Sequence, residues 1–508
     1  MSITSFWYLL LVAAGVLVYY IIPRKVRWIE LLILSLVFYY FAASPVTVIY
    51  PAAVTVIAYI SVFLMDKVRK RGFVLAVSVI IIVLIWFVVK GRGLWYPALD
   101  LISDNSISLR SLDSISIIAA LGMGYYTLQI SGYIIDCYWK VITPQKNPLK
   151  LFLFVIFFPQ MTTGPVSRYS QLETIYAGQA FSYDNICMGA QRILWGFFKK
   201  LVIADRIDII VSGIMANPDY NGFYSWIMVL IYPLQMYADF SGCMDIVAGT
   251  AQLFGITLPE NFNNPFFSRT TQEFWQRWHI TLGTWAKDYV LYPLLKCAPM
   301  VKLGRSAKKK FGKKTGNFVK NSICMFALWM VMGIWHGGYQ YIIGVSLWYW
   351  VILMLGNLLD PLFKKIINKV HIKTESFSWH LFQSARTYAI YAIGAAFFVH
   401  GISGAVIVLK DCFKVIFNPG YANPWIFFDS SILNLGIELR DLNIIVIAII
   451  MLITVAVLRE KYGYAREWVK RQNLYLRWII WIGLFVFVLV YGKYGPGYSA
   501  AEFIYQGF

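Results

Sequence analysis

Two stretches of this chain decide how it folds: EFWQRWHITLGTW at residues 273–285 and LWMVMGIWHGGYQ at residues 328–340. Each sets one histidine, His279 or His336, among tryptophans and aliphatic residues of the kind found in membrane segments. An ionisable side chain is costly at membrane depth and normally faces a protein interior or a wet cavity. The two histidines therefore predict chemistry inside a bilayer, and His336 is the first candidate for a catalytic base.

The composition of the 508 residues excludes a soluble protein. Hydrophobic residues make up 59% of the chain, charged residues only 14%, and the mean hydropathy is +0.62. A soluble domain of this size needs more polar surface than that. Apolar runs long enough to cross ~30 Å of hydrocarbon recur along the chain. We expect an all-α, polytopic integral membrane protein with about 11–13 transmembrane helices.

The predicted spans each hold about 16–25 mostly apolar residues. They cover residues 6–22, 28–43, 46–64, 73–89, 114–135, 186–214, 223–253, 321–341, 342–358, 388–409, 443–458 and 477–492. Residues 151–165 are also apolar, but Pro159, Gly164 and Pro165 predict a re-entrant segment. Residues 263–293 are too polar for a lipid-facing helix and rich in tryptophan, which is typical of interfacial helices or a funnel wall.

Positive charge indicates the orientation. In a soluble chain a net charge of +20 would suggest nucleic acid, but here the basic residues fall in short loops, so we expect no nucleic-acid partner. The lysine-rich block at residues 296–320 is the strongest cytoplasmic marker, and the basic loops at 24–27 and 67–71 agree with it. We expect a multi-pass protein of the cell membrane, in contact with its lipids, with both termini extracytoplasmic.

The residues around His336 suit a general base. Trp335 provides a bulky wall, while Gly337 and Gly338 allow the backbone to approach a ligand closely. Burial disfavours the charged imidazolium, so the neutral ring is available to take a proton from a hydroxyl. His336 lies sixteen residues beyond Lys320, or ~24 Å along a helix, which places it well inside the membrane. The alternative is a packing histidine bonded to a nearby carbonyl.

The role of His279 is more open. It stands close to Arg277, Thr281 and Asp288, so several polar groups converge there. His279 either orients an acyl thioester, hydrogen-bonds to His336, or only caps an interfacial helix.

Several other classes of enzyme are excluded by missing motifs. The chain has no G-x-S-x-G elbow, Walker A loop or HExxH motif.

Its six cysteines lie far apart and form no metal-ligand spacing, so we expect packing residues and no metal site. The acidic residues in or beside apolar segments would suit a proton-coupled transporter, but pairing with nearby basic groups such as Arg206, or helix capping, is the simpler reading. They are Asp136, Asp205, Asp239 and Asp245.

Long stretches of the chain resemble the membrane-bound O-acyltransferase superfamily. The resemblance is carried by YADFSGCMDIVAGTAQLFGITLPENFNNPFFSRTTQEFWQRWHITLGTWAKDYVLYPL at residues 237–294 and by MGIWHGG at residues 332–338. GYYTLQISGYIIDCYWK from Gly124, FFPQMTTGPVSRYS from Phe157 and GFFKKLVIADR from Gly196 agree with it. The resemblance covers roughly residues 1–400 and then weakens.

The resemblance implies a site and an architecture. The family's essential, tryptophan-flanked histidine matches His336, and its second, FWxRWH histidine matches His279. We expect both to be catalytic. We expect a substrate-binding set made of Trp335, Arg277, Trp278, Trp275, Asp288 and Asn261. The family is similar in having re-entrant pieces around a central tunnel. We therefore expect one membrane domain over residues 1–508, with a core at about 1–400 and added C-terminal helices at about 401–508.

Two bacterial branches of the family are considered. The tail AAEFIYQGF at residues 500–508 and the added spans favour the alginate and exopolysaccharide O-acetylation branch over the teichoic acid D-alanyl branch. That branch implies transfer of acetyl from a cytoplasmic thioester to an extracellular cell-surface polysaccharide, with an outer SGNH-type acetyltransferase or esterase as partner. We expect no permanently bound cofactor. Acetyl-CoA is the expected donor, and an acyl carrier protein is the alternative.

Two alternatives remain at this point. D-alanyl or other acyl transfer from a carrier protein to teichoic acid is the nearer one. A lipid-linked sugar transporter or flippase belongs to a different class and would be expected to show inverted repeats, which the sequence lacks. The family often has IPLGGNR after the FWxRWH helix, whereas this chain has LLKCAPM after Pro293. The docking surface of the donor is therefore left open. The lysine block either binds the donor or serves only to set the membrane topology.

Overall fold

The computed structural model describes residues 1–95, 121–217, 222–418 and 431–495. Its regular structure there is helical, apart from one isolated antiparallel bridge between Phe262 and Trp278. The all-α prediction is confirmed. The tail at residues 500–508 and the first residues of the span predicted at 114–135 lie outside the described residues.

The helices are numbered in chain order. The first group is α1 Phe6–Ile21, α2 Arg27–Ala42, α3 Ile49–Lys67, α4 Arg71–Val89, α5 Met123–Tyr138, α6 Pro148–Ile156, α7 Phe158–Met161, α8 Tyr169–Leu172, α9 Tyr183–Phe197, α10 Asp205–Ala216 and α11 Phe223–Leu253. The second group is α12 Thr271–Arg277, α13 Ile280–Ala286, α14 Tyr292–Lys296, α15 Ala298–Trp335, α16 Tyr339–Tyr341, α17 Trp348–Lys369, α18 Phe377–Phe417, α19 Leu439–Tyr462, α20 Ala465–Lys470 and α21 Leu474–Tyr491. π-Helical segments join α9 to α10, α13 to α14 and α16 to α17, over Phe198–Ala204, Lys287–Leu291 and Ile342–Leu347.

Seven helices in the described part of the chain are long and apolar enough to cross a membrane. They are Pro45–Lys67, Arg71–Val89, Ala298–Trp335, Tyr339–Lys369, Phe377–Phe417, Leu439–Tyr462 and Leu474–Tyr491, and Phe6–Ile21 is a shorter apolar helix. The chain is therefore a polytopic, multi-pass membrane protein, as predicted. The total of about 11–13 spans stays a prediction.

The spans predicted at 186–214 and 223–253 are helical but carry buried charge, which lowers their mean hydropathy. Lys200 bonds to Asp205 at 3.0 Å and to Asp239 at 2.7 Å, and all three side chains are at most 3% exposed. Asp245 lies 2.8 Å from Arg192 and 2.7 Å from Lys199. Buried ions of this kind are stable only when they are paired.

The predicted pairing of the acidic residues is confirmed for Asp205, Asp239 and Asp245, but the partners differ from the example given. Arg206 bonds to Asp441 at 2.9 Å instead. Asp136 accepts a hydrogen bond from the Tyr289 hydroxyl at 2.8 Å.

Small residues let α9 and α11 pack backbone to backbone. A Cβ atom added to Gly196 would lie 2.6 Å from the carbonyl oxygen of Gly242, and one added to Gly189 would lie 2.8 Å from that of Gly249. Both pairs are spaced seven residues apart on their helices, so they lie on one face of each helix. Glycine is therefore required along this contact, as in closely packed membrane helices.

The residues that flank the segment predicted to be re-entrant lie close together. Its helix α6 breaks at Phe157, which is followed by the short α7 and by a cis peptide bond at Gly164–Pro165. The side-chain amide of Gln145, before α6, donates to the Tyr169 hydroxyl, after the turn, at 2.7 Å. Because the two ends meet, the segment does not cross the molecule.

The lysine-rich block forms an antiparallel helical hairpin. Gly312 interrupts α15 with φ +82° and ψ +166°, outside the helical region. Beyond it, a Cβ on Gly316 would lie 2.6 Å from the Cα of Lys308, and one on Gly304 would lie 2.9 Å from the Lys320 side chain. The two legs therefore pack together, and residues 298–320 are called the lysine hairpin below.

Candidate active site

His336 is the residue at which α15 ends. Gly337 follows with φ +86°, and its N–H donates to the carbonyl of Ile334 at 2.9 Å. A left-handed glycine of this kind terminates a helix at low cost, which is why the sequence Trp-His-Gly turns here. His336 is only 6% exposed. The helix end thus holds the imidazole inside the protein rather than at its surface.

Three aromatic rings surround the His336 imidazole. The ring centroids of Trp335, Tyr341 and Phe398 lie 4.9, 5.3 and 5.7 Å from that of His336. These rings exclude water from most of the imidazole surface. The sequence pointed to Trp335, whereas Phe398 is contributed by α18, more than sixty residues away, and had no local signal.

The segment that follows α4 packs against the turn that follows His336. A Cβ atom on Gly93 would lie 2.5 Å from the carbonyl oxygen of Gly337, and the Tyr339 hydroxyl donates to the carbonyl of Leu94. These contacts fix the position of the turn from the opposite side of the site.

His279 joins α12 to α13 in an unusual conformation. Its φ of +45° lies in the left-handed region, which side chains other than glycine seldom adopt. The residue is 3% exposed, and its ring packs edge-on against Phe240 at 4.9 Å. Strained backbone of this kind is concentrated at functional sites. The reversal turns the imidazole inward, toward α11.

Asn261 holds His279 in place. Its Oδ1 lies 3.2 Å from Nδ1 of His279 and accepts hydrogen bonds from the backbone N–H and the hydroxyl of Thr281 at 3.1 and 2.8 Å. The backbone carbonyl of Asn261 accepts from the N–H of Ile280 at 3.0 Å. Since Oδ1 only accepts, Nδ1 is assigned as the donor, which leaves Nε2 of the neutral ring as an acceptor.

Trp335 packs against both histidines. Its ring centroid is 6.1 Å from that of His279 and 4.9 Å from that of His336. Its indole N–H donates to the carbonyl of Gly124 at 3.0 Å, and the Tyr125 ring packs on it at 5.6 Å. The structure therefore brings together four of the predicted residues: His336, His279, Trp335 and Asn261.

Trp275 and Trp278 belong to a neighbouring aromatic group. Trp275 packs at 5.0 Å from Trp329 and 4.6 Å from Tyr349, and Trp278 stacks on Phe274 at 5.5 Å. Both tryptophans line a cavity of about 630 Å³. Met325, Leu328, Trp329 and Met332 of α15 line the same cavity, together with Lys287 and Tyr292. The helix that ends at His336 therefore forms one of its walls.

The two charged residues of the predicted set have other partners. Arg277 bonds to Glu273 at 2.8 Å and to Glu460 at 2.7 Å, and Asp288 forms an ion pair with Arg168. These side chains are 22% to 32% exposed. Their charges form ion pairs that join separate segments of the chain. Their substrate-binding role stays a prediction.

Comparisons with known proteins agree with this architecture. The family model described as MBOAT, membrane-bound O-acyltransferase family, matches residues 140–402, slightly more than half of the chain. The matched residues include both histidines, Asn261 and Trp335.

Three relatives illustrate the branches. The chain is 29% identical over 334 residues to the probable alginate O-acetylase AlgI of Pseudomonas aeruginosa, covering 64% of this chain and 60% of that one. It is 30% identical over 280 residues to the peptidoglycan O-acetyltransferase of Helicobacter pylori, covering 49% of each. It is 28% identical over 256 residues to the teichoic acid D-alanyltransferase of Bacillus subtilis, covering 49% of this chain and 62% of that one.

The matches span about half to three-fifths of the length of these curated relatives. All three names describe acyl transfer, and none describes transport of lipid-linked sugars. The chain belongs to the membrane-bound O-acyltransferase family.

Proposed function

We propose that this protein transfers an acyl group, acetyl in the first instance, from a cytoplasmic thioester for O-acetylation of an extracellular cell-surface polysaccharide. One observation carries the proposal: two buried imidazoles, His279 and His336, pack against one indole at the end of the helix that lines the cavity of about 630 Å³. The similarity to alginate and peptidoglycan O-acetylating proteins supports acetyl as the group transferred.

His336 acts as the general base in this proposal. Its neutral imidazole takes the proton of an acceptor hydroxyl while that oxygen attacks the thioester carbonyl. The tetrahedral intermediate then collapses, the carbon–sulfur bond breaks, and the leaving thiolate takes the proton from the imidazolium. The products are an ester and a free thiol, and no proton is gained or lost overall.

His279 orients the donor in the same proposal. Asn261 fixes its ring so that Nε2 is the atom available to a ligand. Trp335 packs against both imidazoles, while Trp275 and Trp278 offer the thioester arm an apolar wall. Holding reacting groups in place in this way accounts for a large part of the rate in many transfer enzymes.

The cavity next to α15 is the proposed entrance for the donor. Its lining runs from Met332, one turn before His336, to Phe318 in the lysine hairpin. Acetyl-CoA is the proposed donor, and no permanently bound cofactor is needed. In this proposal the protein lies in the cell membrane with both termini outside and folds as a single membrane domain. It passes the acetyl group to an outer SGNH-type partner.

D-alanyl transfer to teichoic acid is the second candidate. It is favoured by the match to the Bacillus subtilis D-alanyltransferase, of which the chain covers 62%. In that case the thioester is carried by an acyl carrier protein.

The test is transfer of labelled acetyl from acetyl-CoA in proteoliposomes. The intact protein is compared with His336→Ala and His279→Ala, and with His371→Ala, which changes an exposed histidine outside the site, after equal folding has been verified. Loss of transfer in His336→Ala alone supports the base; loss in both variants indicates that the histidines act together. Activity that survives in His336→Ala contradicts the mechanism. Activity only with an acyl carrier protein that carries the acyl group as a thioester favours the D-alanyl candidate.

A further inference from the structure

The lysine hairpin concentrates positive charge that the rest of the protein does not neutralise. Residues 298–320 include seven lysines and one arginine, and the chain has no Asp or Glu from residue 289 to residue 359. Across the described stretches of the chain, no carboxylate forms an ion pair with any of these eight residues. Seven of the eight are exposed and Lys320 is partly buried. This charge is therefore available to an anionic partner outside the chain.

The charge is densest at the tip of the hairpin. Lys308, Lys309 and Lys310 end the first leg, and Lys313 and Lys314 begin the second. Because the legs pack at Gly316 and Gly304, both sets of lysines are held in one small region. A topological signal needs positive charge only in the sequence. A rigid hairpin that focuses the charge at one point goes beyond that need.

An aromatic side chain stands at the same tip. Phe311 is 55% exposed, and Nζ of Lys310 lies 5.2 Å from its ring. Exposed phenylalanine among lysines is typical of segments that insert into the interface between lipid headgroups and acyl chains.

The last residue of the hairpin lies next to a surface that suits lipid. Ile323 and Phe326, on the same helix just beyond it, are 41% and 37% exposed. Trp350 donates its indole N–H to the carbonyl of Ser322 at 3.0 Å, two residues beyond the end of the hairpin. Tryptophan at such a level is typical of the membrane–water interface. The basic residues therefore follow directly on the hydrocarbon-facing part of α15.

We propose that the lysine hairpin binds anionic phospholipid headgroups of the leaflet on its own side of the membrane, with Phe311 inserted among them. Clusters of four to eight basic residues next to a membrane helix bind lipid phosphates in this way. A protein partner fits less well, because lysine is depleted from the cores of protein–protein interfaces. The hairpin thereby holds the mouth of the large cavity, which Phe318 and Asn321 line, at the headgroup layer.

The test is hydrogen–deuterium exchange on the full-length protein in nanodiscs. One preparation contains phosphatidylcholine alone, and the other contains phosphatidylcholine with added phosphatidylglycerol. Backbone amides of residues 305–316 are expected to exchange severalfold more slowly with phosphatidylglycerol present. High salt is expected to remove the difference, since it screens exposed charges.

A triple variant identifies the residues responsible. Lys308→Gln, Lys310→Gln and Lys314→Gln together are expected to abolish the lipid dependence. The matched control changes Lys365, Lys369 and Lys373, which are equally exposed in another part of the chain, to Gln and is expected to retain it. Equal exchange in both lipids, or the same loss in the control, overturns the proposal. If only an acidic carrier protein added in solution slows exchange, the hairpin binds protein instead.

Discussion

At the scale of single residues, the position of His279 in the site depends on its contact with Asn261. Asn261 was expected to contact substrate, but the structure shows that its side chain is occupied by His279 and Thr281. That contact was hidden in the sequence, because it forms only when His279 adopts its left-handed conformation and the chain turns back onto Asn261. The WHGG pattern, in contrast, was readable as a candidate site from neighbouring residues alone. The helix end there was not predicted, because the predicted span ran on to residue 341, whereas the helix ends at Trp335.

The first prediction concerns Asn261. Asn261→Ala removes the acceptor that faces His279 Nδ1, and about tenfold slower acyl transfer is expected, the equivalent of one lost hydrogen bond of ~1–1.5 kcal/mol. Initial rates in proteoliposomes measure it. Asn264→Ala is the control, since that amide bonds to Ala456 and Glu460; a rate equal to the unchanged protein in Asn261→Ala contradicts the assignment.

At the scale of helices, packing contacts and buried ion pairs hold the scaffold behind the site. The sequence predicted where most helices lie, because apolar runs are a local signal. It did not predict the hairpin at Gly312 or the backbone contact between α9 and α11, because both depend on which segments meet in space. In the sequence, the buried residues Lys199 and Lys200 only interrupt an apolar run, and their carboxylate partners were not predicted.

The α9–α11 contact gives the second prediction. Gly196→Ala places a Cβ atom 2.6 Å from the Gly242 carbonyl, so the helices must separate, and a loss of about 1–3 kcal/mol in the free energy of unfolding is expected. Gly356→Ala is the control, because nothing lies within 4 Å of a Cβ there and alanine favours the helix by up to ~1 kcal/mol. Thermal unfolding in detergent compares the two, and an equal shift in both would contradict the packing argument.

The third prediction concerns Lys200. Lys200→Met leaves the buried carboxylates of Asp205 and Asp239 without this cation, and a destabilisation of about 3–5 kcal/mol is expected. Lys364→Met breaks an exposed pair with Asp360, at 2.8 Å, and is expected to cost no more than ~0.5 kcal/mol. Denaturant unfolding distinguishes the two, and similar values for both would show that the buried pairs contribute little.

At the scale of the whole molecule, one helix connects three features. α15 begins in the lysine hairpin, lines the large cavity and ends at His336. The sequence indicated both ends, through the lysines and the WHGG pattern. It did not indicate the cavity between them, because the cavity wall is completed by α17 and by the segments around α12 and α14.

The fourth prediction tests the path of the donor along α15. Met325→Trp places an indole in the cavity and is expected to raise the KM for acetyl-CoA more than it lowers kcat, because it obstructs binding and leaves the histidines unchanged. Phe326→Trp is the neighbouring control, since Phe326 is 37% exposed on the outer surface of the helix. Steady-state kinetics in detergent measure both; an unchanged KM in Met325→Trp excludes this route.

The turn after His336 has a consequence for how such proteins change over time. Gly337 has a backbone conformation that other residues adopt only with strain. At Gly93 there is no space for a side chain, because a Cβ atom there would collide with the carbonyl oxygen of Gly337. Purifying selection on folding alone would preserve the Trp-His-Gly-Gly surroundings in a descendant that had lost its chemistry. Persistence of the glycines therefore reports a folded turn, while the imidazole itself is the part that reports activity.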